Sequence, residues 1–156
     1  MTLSKNEWDQ LQTVIVGIAD DAKIPTLDPS LRMVNYADIK HTYKIPVGPY
    51  PQQVIDEANE DLDGFAKFLE GEGIKVLRPD ATIIPEYYNY CPRDTVLIHD
   101  DLILATPNPL RARKTEYLAM EEHLQRFGDV TVASCSHVSS SYNSGCLRNP
   151  DVLALH

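Results

Sequence analysis

Residues 91–107 read CPRDTVLIHDDLILATP. After the Cys-Pro-Arg-Asp tetrad, two apolar runs flank the polar pair Asp100-Asp101, the pattern of two strands, Thr95–Ile98 and Leu102–Ala105, joined by a tight turn. Pro92 fixes its own φ and brings no N–H to a ladder, so Asp94 stands at the mouth of the first strand in a defined direction. A strand that only fills a core has no use for an acid at that place. A strand that presents an acid to a ligand does.

Working outward, LRARKTEYLAMEEHLQRFG (110–128) has Tyr117, Met120, Leu124 and Phe127 at helical spacing and Gly128 as a stop, which predicts a helix over about 110–127. A strand is expected next, at Val130–Ala133. The same order precedes the hairpin. TVIVG predicts a strand at Thr13–Gly17, and IKVLRP predicts one at Ile74–Leu77. Between them, residues 51–70 carry Val54, Ile55, Ala58, Leu62, Phe65, Ala66 and Leu69 on one face, the pattern of a helix. Strand, helix, strand thus recurs with a period of roughly sixty residues, and repetition of this kind points to an array or propeller. VLALH, from Val152, looks like the start of a third unit, after a Ser-rich stretch that reads as an exposed loop. The segment before the first helix holds Pro25, Pro29, Pro46, Pro49 and Pro51, so neither helix nor central strand is expected there.

The 156 residues suit a single domain over 1–156, with apolar residues at 43% and charged residues at 24%. Acids outnumber bases 23 to 14, a net charge of −9, and no basic stripe reverses that field locally. Nucleic acid and anionic membrane surfaces are therefore poor partners. MTLSKNEWDQ lacks the basic-then-apolar order of a targeting peptide, and no apolar run approaches the ~20 residues of a membrane span. Cys91, Cys135 and Cys146 are odd in number and irregular in spacing, which favours a reducing cytoplasm over a disulfide framework.

Four chemistries compete for the polar residues. A zinc site from Cys91, Cys135, His137 and Cys146 lacks the usual closely spaced donor pairs. The acidic face of the first helix, Asp56 to Asp63, has no clustered His or loop glycine and reads as solvated. No metal or cofactor is expected. A Cys–His nucleophile from Cys135 or Cys146 has no activating motif around it. Phosphate-binding loops are absent as strand–Gly-rich loop–helix units. The fourth candidate is Asp94, whose carboxylate could accept two parallel hydrogen bonds from a planar guanidinium. Equally, it could pair with Arg93, Arg111 or Arg113, or cap a turn, and the pattern alone favours that internal role.

Four segments in this order, NEWDQLQTVIVG, FLEGEGIKVLRPD, CPRDTVLIHDDLILATP and RARKTEYLAMEEHL, resemble the amino-terminal part of the glycine amidinotransferase family, with a further match at GCLRNPDVLALH. These enzymes move an amidino group from arginine to glycine or another amine. The resemblance implies a pentein-type α/β propeller, of which this chain would hold about two modules and the start of a third. It also implies that Asp94, with Arg93 beside it, binds the substrate guanidinium, the carboxylate aimed at the concave centre and away from Arg93 and Arg113. In the family a Cys nucleophile carries the amidino group covalently, a His serves as acid and base, and a second Asp completes the clamp. All three belong to later modules, and Cys91, Cys135 and Cys146 do not fall at the nucleophile's place. The expectation is a chain inactive alone, as a fragment, a split subunit or a decayed relative. Its expected partners are arginine, an acceptor amine such as glycine, a complementary carboxy-terminal chain, and copies of itself through open strand edges. The alternatives are a non-catalytic guanidino-binding or assembly subunit, and a guanidino-hydrolase of the same fold.

Overall fold

Helix α2 (Gln52–Gly71) organises the first half of the molecule. The structure, a computed structural model, describes residue 6 and residues 8–133. Ile55, Ala66 and Leu69 are the buried positions of α2, and Ala66 and Leu69 form a core with Val16, to which Val14, Leu62, Ile74 and Val76 add. Its end is set by Gly73, at φ 81°, where the Gly73 N–H donates to the Glu70 carbonyl and the Ile74 N–H to the Leu69 carbonyl. That is the paired bonding of a left-handed helix cap, and Leu69 and Ile74 supply the apolar contact that accompanies it. The helix joins two strands that run parallel, β1 (Thr13–Ile15) and β4 (Lys75–Leu77), in the register Val14 to Val76. Arg78, just beyond β4, donates to the Asp63 carboxylate on α2 at 2.7 Å and to the Gly17 carbonyl at 3.0 Å, so helix and strand ends are clamped together.

The second unit repeats this order with one more strand. β5 (Val96–His99) and β6 (Leu102–Ala105) form the expected hairpin, with Asp100 at φ 53° in its two-residue turn, and β7 (Val130–Val132) pairs parallel with β6. Ile103, Met120 and Leu124 are its buried centre, with Val96, Ile98, Tyr117, Phe127 and Val130 around them. Ile15 of β1 packs into the same cluster and joins the two units. The architecture is α/β, and none of the sheets among the described residues closes on itself.

Two expectations are corrected. Residues 110–127 are not one helix. The chain turns as 3-10 segments at Arg111–Arg113 and Glu116–Met120 before a short helix, α3 (Glu121–Gln125). The apolar stripe read from the sequence still faces the sheet, but the tighter winding serves a polar pair described below. The proline-rich segment is also more ordered than expected. Asp28 caps α1 (Pro29–Asn35), its Oδ1 accepting from the Ser30 and Leu31 N–H groups, and Pro29 sits in the first turn, where its missing N–H costs nothing. Leu31 packs with Tyr87, Leu110 and Ala112. β2 (Lys23–Ile24) and β3 (Gly48–Pro49) pair at the two ends of the segment. The Ser-rich loop and the strand expected from Val152 lie outside the described residues.

Residues 87–91 are laced onto the chain that follows β1. The Ile18 N–H donates to the Asn89 carbonyl at 3.2 Å and the Lys23 N–H to the Tyr87 carbonyl at 2.8 Å. Gly17 makes this approach possible, since a Cβ there would lie 2.5 Å from the Tyr90 backbone. Gly17→Ala should therefore destabilise the chain by about 1–3 kcal/mol, the range of overpacking. Gly64→Ala, in the middle of α2 with nothing within 4 Å of the added methyl, should stabilise it by about 0.5–1 kcal/mol. Denaturant melts of the two variants check the opposite signs.

Candidate functional site

Asp94 closes a 3-10 turn, Pro92–Asp94, two residues before β5. Its N–H donates to the Cys91 carbonyl and that of Thr95 to the Pro92 carbonyl, while Thr106 on the other side of the hairpin donates its hydroxyl to the Asp94 carbonyl at 3.2 Å. The backbone of the acid is thus held from both sides, and its side chain remains 45% exposed.

The Asp94 carboxylate does not stand apart from its neighbours. Arg113 Nη1 donates to its Oδ2 at 2.8 Å, which corrects the expectation that it would point away from Arg113. The reason is the position of Arg113, only 5% exposed on its side chain. A buried guanidinium must find partners for its donors, and one carboxylate cannot serve them all. Nε donates to Glu116, at 3.0 Å to Oε1 and 2.8 Å to Oε2, and Nη2 reaches the Cys91 carbonyl at 3.4 Å. The cation also lies over Tyr88, 4.5 Å from the ring centroid, and Tyr88 stacks on Tyr90 at 4.0 Å. Winding at three residues per turn suits the meeting of Arg113 and Glu116, three apart in sequence.

One cation therefore faces two carboxylates. Burial pushes the Glu116 carboxyl up to about 7; Arg113 and the Tyr88 backbone N–H pull it down, and the Asp94 charge adds to the rise. Burial lowers the tendency of Arg113 to stay charged, but the Asp94 hydrogen bond and the Glu116 charge outweigh it and raise its pKa. Burial also pushes the Tyr88 phenol well above its ordinary value. The Cys91 thiol is raised by burial and then by the Asp94 charge, the opposite of the activation that a nucleophile needs.

Arg93 is exposed and takes no part in this cluster. Arg111 uses its backbone N–H to meet the Ser30 hydroxyl at 3.0 Å. Cys135, His137 and Cys146 lie outside the described residues. Glu116 and Tyr88 escaped the sequence reading altogether. The available signal was the Arg-x-x-Glu spacing at 113 and 116, obscured because a helical period was assigned to the whole segment.

No family model matches the chain. Inosamine-phosphate amidinotransferase 1 of Streptomyces griseus is 39% identical over 134 residues, 78% of this chain and 39% of that protein. L-arginine:L-lysine amidinotransferase of Pseudomonas savastanoi pv. phaseolicola is 32% identical over 136 residues, 80% of this chain and 38% of that protein. The solved structure of inosamine-phosphate amidinotransferase from Streptomyces griseus superposes with a TM-score of 0.76 at 34% identity, covering 85% of this chain and 42% of the other. By sequence and by fold the homologues of this chain are amidinotransferases. The chain spans about two fifths of the length of these relatives.

The raised Glu116 carboxyl makes stability pH-dependent. Unfolded, it gives up its proton near 4.5; folded, it keeps it to about 7. Between these values the folded chain binds more protons, so its stability falls as pH rises. The melting temperature should be lower at pH about 8 than at pH about 5, and Glu116→Gln should flatten this slope. A slope unchanged by Glu116→Gln in thermal melts across that range would contradict the assignment.

Proposed function

We propose that this chain supplies the guanidinium-binding part of an arginine amidinotransferase, folded as about two modules and the start of a third of a pentein-type propeller. The observation that carries the reading is the Asp94 carboxylate, with Oδ2 engaged by Arg113 and Oδ1 accepting no hydrogen bond among the described residues. A carboxylate held in this way can take a second, planar cation on its open side. The two parallel pairs, β1 with β4 and β6 with β7, each bridged by helical segments, support the modular reading.

The chemistry implied by the family transfers the amidino carbon of arginine to a Cys thiolate, releases ornithine, and passes the amidino group to an amine. Asp94 would bind and orient the guanidinium, with Arg93 at the rim of the site. Cys91, with its raised thiol, does not suit the nucleophile. The Cys, the His base and the second Asp would come from the remaining modules, whether they continue this polypeptide or reside on a complementary chain. The acceptor is an amine; the names of the relatives specify an inosamine phosphate in one and lysine in another, and glycine stays a candidate. We place the protein in the cytoplasm, away from nucleic acid and membranes. No helix among the described residues is long and apolar enough to cross a membrane.

A second reading, an assembly subunit that binds guanidino groups without turnover, draws on the apolar surface left open. Phe65 and Phe68 on α2, Leu97 on β5 and Val132 on β7 are each more than half exposed. Exposed apolar surface and strand edges of this kind predict self-association at micromolar concentration. A single sedimenting species at monomer mass would oppose that expectation.

The enzyme reading is tested by co-expressing the chain with the carboxy-terminal part of a related amidinotransferase and supplying arginine and an amine. Ornithine should form, and Asp94→Asn should lose about 2–3 kcal/mol of transition-state binding. Citrulline or ammonia in place of a guanidino product would indicate hydrolysis. An active complex indifferent to Asp94→Asn would return Asp94 to a purely internal ion pair.

A further inference from the structure

Arg113 is too deeply buried to meet a substrate, yet two of its three nitrogens face the turn that carries Asp94. Nη1 holds Asp94 Oδ2 at 2.8 Å, and Nη2 points at the Cys91 carbonyl, the acceptor that also receives the Asp94 N–H. On its other edge, Nε is shared by both oxygens of Glu116, whose side chain is 3% exposed. Tyr88 covers one face of the guanidinium. The plane of the cation is therefore fixed from three directions, and the position of its Nη1 donor is fixed with it. Among these partners Asp94 alone is exposed, its side chain to 45%.

A carboxylate on a surface turn ordinarily rotates and hydrates, and a ligand that needs it in one orientation must then meet the cost of ordering it. Holding one oxygen from behind removes much of that cost. We propose that Arg113 is the positioning residue for donor recognition: it takes Oδ2 of Asp94 and so aims Oδ1 at the incoming guanidinium. Glu116 and Tyr88 form the seat that keeps Arg113 in place. The inference rests on the amidinotransferase reading for the identity of the incoming cation, while the contact between Arg113 and Asp94 stands without it. Lysine at position 113 would not do the same, because a single ammonium cannot span Glu116 and Asp94 with planar, fixed donors.

The test has two arms, and the first needs no partner. In the chain itself, the side-chain 15N–1H signals of the Arg113 guanidinium are followed by NMR in wild type and in Asp94→Asn. The Nη signals should shift and exchange faster in the variant, with the Nε signal, tied to Glu116, little changed. Nη signals indifferent to Asp94→Asn would overturn the proposal, whatever the enzyme does. The second arm measures turnover in the assembled enzyme. Asp94→Asn should lower kcat/KM for arginine about 30–160-fold, and Arg113→Lys about 10-fold, with the loss in the arginine KM and the acceptor KM unchanged. The double variant should be no worse than Asp94→Asn alone, since both changes remove one function. If Asp94→Asn costs activity but Arg113→Lys leaves the arginine KM alone or adds its full effect to it, Arg113 is structural only and the proposal fails while the enzyme reading stands. If Asp94→Asn is silent, the enzyme reading fails first. Should Arg113→Lys not fold, the Nη signals in Asp94→Asn decide the question.

Discussion

A guanidinium buried to 5% exposure between two carboxylates is the constraint around which the rest of this molecule is arranged. A charge out of water costs several kcal/mol unless donors and partners are matched, and breaking one side of a buried pair costs about 3–5 kcal/mol. That is a large part of the 5–15 kcal/mol by which a domain is ordinarily stable. The neighbourhood of Arg113 is built to that demand. The chain abandons a regular helix for 3-10 turns at 111–113 and 116–120, Cys91 offers its carbonyl, and Tyr88 places a ring face against the cation.

The same demand explains why distant residues have little freedom. Tyr88 and Cys91 reach Arg113 only if residues 87–91 lie against the chain after β1, and that requires a residue without a side chain at Gly17. Gly17 in turn gives its carbonyl to Arg78, which ties the end of β4 to Asp63 of α2. A path of direct contacts thus runs from the long helix of the first unit, through one glycine, to the Asp94 turn of the second. Ile15, packed among Ile103, Met120 and Leu124, joins the two units independently through their cores. Asp94 sits where these ties converge, its backbone hydrogen-bonded from both sides and its side chain 45% exposed.

What the sequence made legible follows from which interactions are periodic. The α2 stripe, the Gly73 stop and the alternating hairpin are repeated local signals, and the structure has them within a residue or two of the expected bounds. The proline-rich segment misled because Pro29 falls where a helix tolerates proline, just after an aspartate cap. The second helix misled for a deeper reason. Its apolar residues keep a helical spacing, but Arg113 and Glu116 are buried charges that meet each other and Asp94, nineteen residues away in sequence. Nothing in a hydrophobic period reports such a pair. For the same reason Asp94 could be named from the Pro-Arg-Asp motif, while its choice of Arg113 over Arg93 or Arg111 depended on burial that only the fold decides. The guanidinium role is an expectation from the family resemblance alone, and the structure adds that Arg113 engages the same carboxylate.

The most direct measurement is a crystal structure of the assembled enzyme with arginine bound. The substrate guanidinium should lie within about 3 Å of Asp94 Oδ1, with Arg113 still on Oδ2 and Glu116 still on Nε. A substrate guanidinium seated away from Asp94, or one that displaces Arg113 from the carboxylate, would contradict that expectation.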